Sequence, residues 1–204
     1  MSPTLHPLVI LASLTLCSAV RAEPAAPKPP AKTAKLAIKG WYVYDEPTGT
    51  YESDVDRTVS RSGKASGRLR SVPAQTNGFG ALGQRFSGEL YRGKRVRFSA
   101  FVRTDTVGNA AGISLRIDTQ GADGKTPPPL IYSTIDQQPL RAQTEWTPLA
   151  LVVDVPADAV QVAIALLLRG GGAAWIDDVK LDVVDKSVPL TAMPTQPRNL
   201  GFEE

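Results

Sequence analysis

Arginine, serine and phenylalanine share one side of the stretch RVRFSAFVRTD, Arg95 to Asp105. Successive side chains of a β-strand point to opposite faces. Val96, Phe98, Ala100 and Val102 therefore make an apolar face, and Arg95, Arg97, Ser99, Phe101 and Arg103 make the other. A second stretch, AGISLRIDT, sets Ile113, Leu115 and Ile117 against Ser114, Arg116 and Asp118. Guanidinium forks bond hydroxyls or carboxylates at two points at once, and an aromatic face packs against the C–H side of a pyranose. These polar faces suit a carbohydrate, with contacts expected from Arg97, Phe101, Arg103, Arg116 and Asp118. Gln161 and Arg169 fall on the polar side of a third strand. Tyr42, Tyr44, Tyr51, Phe79 and Tyr132 are further aromatic candidates. The competing reading is a solvated sheet face whose Arg and Asp pairs contribute little.

Catalysis would have to run on carboxylates. The single His and single Cys of the 204-residue chain, His6 and Cys17, fall within a segment with the features of a secretory leader. Leu8 to Val20 is its apolar core, and Val20-Arg21-Ala22 places small residues for cleavage before Glu23. Its start is weak, with no Lys or Arg. Once it is cleaved, no imidazole or thiol remains. That excludes Ser-His-Asp and Cys-His nucleophiles and zinc sites built on His or Cys. The apolar run is shorter than the ~20 residues of a membrane span. Lipidation at Cys17 wants a small residue before it, and Leu16 stands there. The expected location is periplasmic or secreted. Glu52, Asp54 and Asp56 share one face of a predicted strand, and a close carboxylate pair can hydrolyse a glycosidic bond. Alternating acids on an exposed strand more often form a solvated edge.

The elements that position these residues are short strands separated by Gly, Pro, Asn and Asp. Residues 23–35, EPAAPKPPAKTAK, form a Pro/Ala/Lys linker. About ten strands follow within 36–186: 36–44, 51–60, 67–72, 80–88, 95–105, 111–119, 129–134, 145–155, 159–168 and 174–184. Residues 187–204 return to a Pro-rich tail. Regular turns and period-two alternation predict an all-β antiparallel sandwich or barrel. The formal net charge of the whole chain is +3, with no basic stripe and no nucleic-acid-binding motif.

SGKASGRLRS (62–71), GKRVRFSAFVRT (93–104), TEWTPLALVVDVPADA (144–159) and AWIDDVKLDVV (174–184) occur in an order and spacing that resemble carbohydrate-binding modules of the cellulose-binding family four and nine type. The resemblance covers roughly Trp41 to Val184. It implies a galactose-binding-like jelly roll and a non-catalytic module that binds a polysaccharide or oligosaccharide on a concave sheet. It also implies that Trp146 and Trp175 are framework residues. Many such modules hold a structural calcium ion with an aspartate of the closing D-D-V and a glutamate of an opening N-x-x-F-E segment. Asp177 and Asp178 match the aspartates. The domain opens instead with LAIKGWYVYDE, and NLGFEE at the C-terminus resembles the opening of a following domain. Similar modules also front larger exported or regulatory proteins, so a protein-interaction or sensory role is the second expectation.

Overall fold

The computed structural model describes residues 38–72, 76–120 and 126–191. The chain divides into two units, Met1–Lys32 and Thr33–Glu204, and the described residues belong to the second. The expected leader, the linker and the NLGFEE segment lie outside the described residues.

Nine strands follow in order: β1 (Tyr42–Glu46), β2 (Tyr51–Asp56), β3 (Ser66–Ser71), β4 (Phe79–Ser87), β5 (Arg95–Thr119), β6 (Leu130–Ser133), β7 (Leu140–Asp154), β8 (Ala159–Arg169) and β9 (Ala173–Val184). One 3-10 turn, Glu89–Tyr91, leads from β4 towards β5. Every pairing is antiparallel. The molecule is an antiparallel β-sandwich of jelly-roll type.

β5 decides the architecture. The sequence predicts two strands here, 95–105 and 111–119, and the structure makes one of 25 residues. Its first half pairs with β7 and β9, giving the sheet β7-β5-β9-β3-β2. Its second half pairs with β8 and β6, giving the sheet β6-β5-β8-β4-β1. Between them lie Thr106, at φ 51°, and register shifts against β7. The intervening TDTVGNAA segment has the composition of a turn, yet its backbone stays paired. Val107 faces Ala142 in register, and Gly108 N donates to Gly171 O at 3.0 Å. Bulges bend a strand while keeping most of its ladder, so β5 turns from one sheet into the other without breaking.

The alternation expected for Arg95–Thr104 is present residue by residue: Val96, Phe98, Ala100 and Val102 are buried, and the residues between them are half-buried. These four join Ile113, Leu115 and Ile117 in one core with Leu82, Ile164, Leu166 and Leu168. Fully burying a side chain of this size contributes about 1.5–3 kcal/mol, so the two apolar faces of β5 fix both sheets on one interior. β8 departs from its expected pattern at one residue. Val160 is 40% exposed, because a register shift between Asp118 and Thr119 turns the strand start outward.

Candidate functional site

Cross-strand register assembles the outer face of the β6-β5-β8-β4-β1 sheet. One row reads Ser133, Ser114, Ala165, Gly83, Tyr42. The next reads Ile131, Arg116, Ala163, Arg85. On the other side, Leu167 faces Ala81 and Ala81 faces Tyr44; beyond them Arg169 faces Phe79. The middle of this face carries alanine, glycine and serine, while its flanks carry aromatics and arginines. Small side chains between large ones leave a trough, here a groove of about 430 Å³.

The aromatic wall is locally enforced. Asp45 Oδ2 accepts backbone N–H bonds from Gly49, Thr50 and Tyr51 at 2.6, 2.8 and 3.1 Å, which fixes the β1–β2 turn and so the edge strand. Tyr44 and Phe79 meet with ring centroids 6.3 Å apart at 58°, the tilted arrangement that aromatic pairs favour. Tyr44 remains 48% exposed. Its hydroxyl donates to Glu46 Oε2 at 3.2 Å, and that bond, more than the carboxylate's charge, raises the phenol's pKa. A Cβ at Gly83 would lie 2.7 Å from Ile164 O and 3.3 Å from Tyr42 Oη, so glycine is what lets Tyr42 lie over the floor. Arg85 stacks on Tyr42 with its Cζ 4.6 Å from the ring centroid, and its Nε donates to Tyr42 Oη at 3.0 Å. Arg116 is held by Asp118 Oδ1 through Nε at 3.0 Å and Nη2 at 2.7 Å. Arg169 Nη1 stands 3.7 Å from Asp136 Oδ1.

The five residues expected to make one ligand face are therefore divided. Arg116 lines this groove and Asp118 positions it. Arg97, Phe101 and Arg103 lie on the outer face of the opposite sheet. The physical reason is the bend in β5, which sends its two halves into different layers. On that opposite face Arg97, Ser99, Phe101 and Lys180 border a groove of about 530 Å³. Its aromatic is already engaged: Arg61 Cζ sits 3.4 Å from the Phe101 ring centroid. Arg103 lies over Trp175, 5.8 Å from the ring, with Glu145 at 3.9 Å. Among the other aromatic candidates, Tyr51 is buried and donates its hydroxyl to Gly170 O at 2.8 Å, and Tyr132 packs partly buried against the core. Trp175 is buried and Trp146 half-buried, as framework residues should be.

The expected calcium ligands have another task. Asp177 Oδ2 accepts the backbone N–H groups of Arg61 and Ser62 at 2.8 and 3.2 Å. Asp178 accepts Ser62 Oγ and Arg61 Nη1, both at 2.5 Å. Those two donors, the hydroxyl first, hold the Asp178 carboxyl below its ordinary range. Among the described residues no group of three or more His, Cys, Asp or Glu side chains could hold a metal ion. Calcium takes six to eight oxygens; the Arg61 guanidinium already faces Asp178 and backbone N–H groups occupy Asp177 Oδ2, so this arrangement does not fit the ion. Calcium or chelator is expected to leave the melting temperature unchanged; a calcium-dependent rise in a thermal scan would overturn this.

The three acids of β2 do share a face, and each is neutralised. Arg70 pairs with Glu52 and Arg68 with Asp54 across the β2–β3 ladder. Asp56 accepts Trp175 Nε1 at 2.9 Å and lies 3.3 Å from Arg68 Nη1. Carboxylates spent in this way are poor acids or bases for a glycosidic bond.

The fold is a β-sandwich similar to that of solved carbohydrate-binding modules. The xylan-binding CBM22-1 domain of Paenibacillus barcinonensis Xyn10C superposes with a TM-score of 0.50 at 13% identity, over 73% of this chain and 88% of that one. The enzymatically active domain of bacteriophage CBA120 tailspike protein 4 gives 0.53 at 15% identity, over 72% of this chain and 20% of that one. No family model matches the chain. In sequence it is 34% identical over 174 residues to the uncharacterized HTH-type transcriptional regulator YbfP of Bacillus subtilis. That match takes in 82% of this chain and 57% of the regulator, so the chain spans a little over half the length of its curated relative.

Proposed function

We propose that the domain is a non-catalytic module that binds a glycan in the groove of the β6-β5-β8-β4-β1 sheet. The observation that carries this is the floor of Ala163, Ala165 and Gly83, flanked by Tyr42, Tyr44 and Phe79 on one side and Arg116 on the other. An exposed aromatic ring accepts the apolar face of a sugar, the guanidinium opposite donates to its hydroxyl oxygens, and the serine hydroxyls donate or accept. Membership of the cellulose-binding family four and nine type belongs to this proposal. So do the domain limits 36–186 and export to the periplasm or medium after cleavage near Ala22. The xylan named for the structural relative makes xylo-oligosaccharides the first neutral probe. Tyr44→Ala is expected to weaken binding about tenfold in calorimetric titration, a loss of ~1.4 kcal/mol. Unchanged affinity for a glycan that the wild type binds would remove Tyr44 from the site.

A second reading is favoured by the similarity to YbfP. A sensory domain would use the same groove to read a sugar on behalf of a regulator. A module that anchors to polymer should be retained by insoluble polysaccharide, whereas a sensor should prefer a mono- or disaccharide. Titrating both ligand sizes separates the two.

A further inference from the structure

The groove carries more positive charge than a neutral sugar needs. Three arginines line it, Arg85, Arg116 and Arg169, against two carboxylates, Asp136 in the lining and Asp118 on Arg116. Their placement is specific. Arg116, Ala163 and Arg85 are successive residues of one row across β5, β8 and β4. Neighbouring strands lie about 4.8 Å apart, so the two arginine backbones are roughly 10 Å apart. Between them stands a methyl group. Arg169 is on the same strand as Ala163, roughly 20 Å further along the trough.

Arg116 has Asp118 beside it and Arg169 has Asp136, yet each keeps donors for a ligand. Arg85 has no carboxylate within ion-pair distance among the described residues; its partner is Tyr42, which orients the guanidinium without neutralising it. Asp118 engages Nε and Nη2 of Arg116, which leaves Nη1 for a ligand. Asp136 stands 3.7 Å from Arg169, beyond hydrogen-bond distance.

Resting on the glycan reading above, we infer that the groove takes an acidic oligosaccharide, a chain of uronic acid units. One carboxylate binds between Arg85 and Arg116, and a second binds near Arg169. A guanidinium fork matches a planar carboxylate in two hydrogen bonds, which a hydroxyl cannot supply. Cations at both ends of a trough of this length select a polymer with repeated charges over a single terminal acid. The alanine floor between them accepts the sugar rings.

The test is a calorimetric titration of the full chain with three oligouronates, oligogalacturonate, oligomannuronate and oligoglucuronate, each paired with its carboxyl-reduced neutral counterpart of equal length. At least one acidic member should bind about tenfold or more tightly than its neutral partner, since hydrogen bonds to charged groups exceed neutral ones by this order. That preference should shrink with added salt. Arg85→Gln should bring the ratio of acidic to neutral affinity towards one, and Arg85→Lys should keep part of that ratio. Arg97→Gln, on the opposite sheet, should change neither.

Neutral oligosaccharides binding as tightly as every acidic one would overturn the acidic specificity and leave the glycan groove standing. Loss of the preference in Arg97→Gln but not in Arg85→Gln would move the anion to the other face and overturn it too. No binding by any member of either series, from folded protein, would overturn both the specificity and the glycan reading.

Discussion

Ala165→Trp is expected to abolish glycan binding while the protein stays folded. Ala165 sits at the centre of the trough, between Gly83 and Ser114 in the cross-strand row. Its cross-strand neighbours are small, and its methyl is buried beside Ala81, Leu167 and Phe79, so an indole there must project outward into the trough. It would then occupy the volume that a sugar ring needs. A fall of about 100-fold or more in affinity is expected, ~2.7 kcal/mol, for any glycan the wild type binds. The main-core residues of β8, Val162, Ile164, Leu166 and Leu168, lie on the other side of the strand, whereas Ala165 packs in a smaller outer cluster with Ala81, Ala110, Ile135 and Leu167, so any fall in melting temperature should be that of the smaller cluster and not of the main core. Calorimetric titration beside a thermal scan reads both quantities. A variant that binds as well as wild type would place the ligand elsewhere. The groove beside Phe101 would then be next in line, with Arg61→Ala opening that ring as the follow-up.

The second large effect concerns stability. Asp56→Ala is expected to cost about 3 kcal/mol, because it strands the buried indole N–H of Trp175 and removes the acceptor that holds the Thr58–Val59 turn. Asp56 Oδ2 accepts Trp175 Nε1 at 2.9 Å. Asp56 Oδ1 accepts Thr58 N at 2.8 Å, Thr58 Oγ1 at 2.7 Å and Val59 N at 3.2 Å. The Trp175 bond, followed by the Thr58 and Val59 donors, holds the carboxyl far below its usual range against an opposing effect of burial. A depressed folded pKa means that the native state holds its proton more weakly than the unfolded chain does. The stabilisation is therefore complete above the ordinary carboxylate pKa of about 3.9 and is lost as pH falls below it towards the folded value. Urea titrations of wild type and Asp56→Asn should differ by a constant amount from pH 7 to about pH 5, and the difference should shrink below about pH 4. A difference that grew on acidification would show that Asp56 is protonated in the native state.

That single carboxylate also illustrates what was hidden in the sequence. Glu52, Asp54 and Asp56 alternate on one strand, and alternation correctly places them on one face. It says nothing of what stands opposite. Only the antiparallel register of β2 with β3 and of β3 with β9 brings Arg70 to Glu52, Arg68 to Asp54 and Trp175 near Asp56. Asp177 and Asp178 behave in the same way. Their spacing resembles a calcium motif, and their geometry is that of a clasp on Arg61 and Ser62.

Period-two hydrophobicity was sufficient to determine the fold class and most of the core. Val96, Phe98, Ile113, Leu115 and Ile117 are buried where alternation puts them, because a residue's side of its own strand depends on the strand alone. Trp175 as a packing residue was also legible, through its place beside the closing D-D-V. The ligand face was not. Arg97 and Arg116 each lie on the outward side of β5, as expected, but β5 bends between the two sheets near Thr106 and its outward side changes layer. The groove floor was equally silent. Ala81, Gly83, Ala163 and Ala165 carry no chemical signal, and their importance lies in what they fail to fill. A trough exists only when small residues from two strands distant in sequence fall into register beneath the aromatics of a third. Local sequence fixes the face of a strand; tertiary pairing alone decides which faces become one surface.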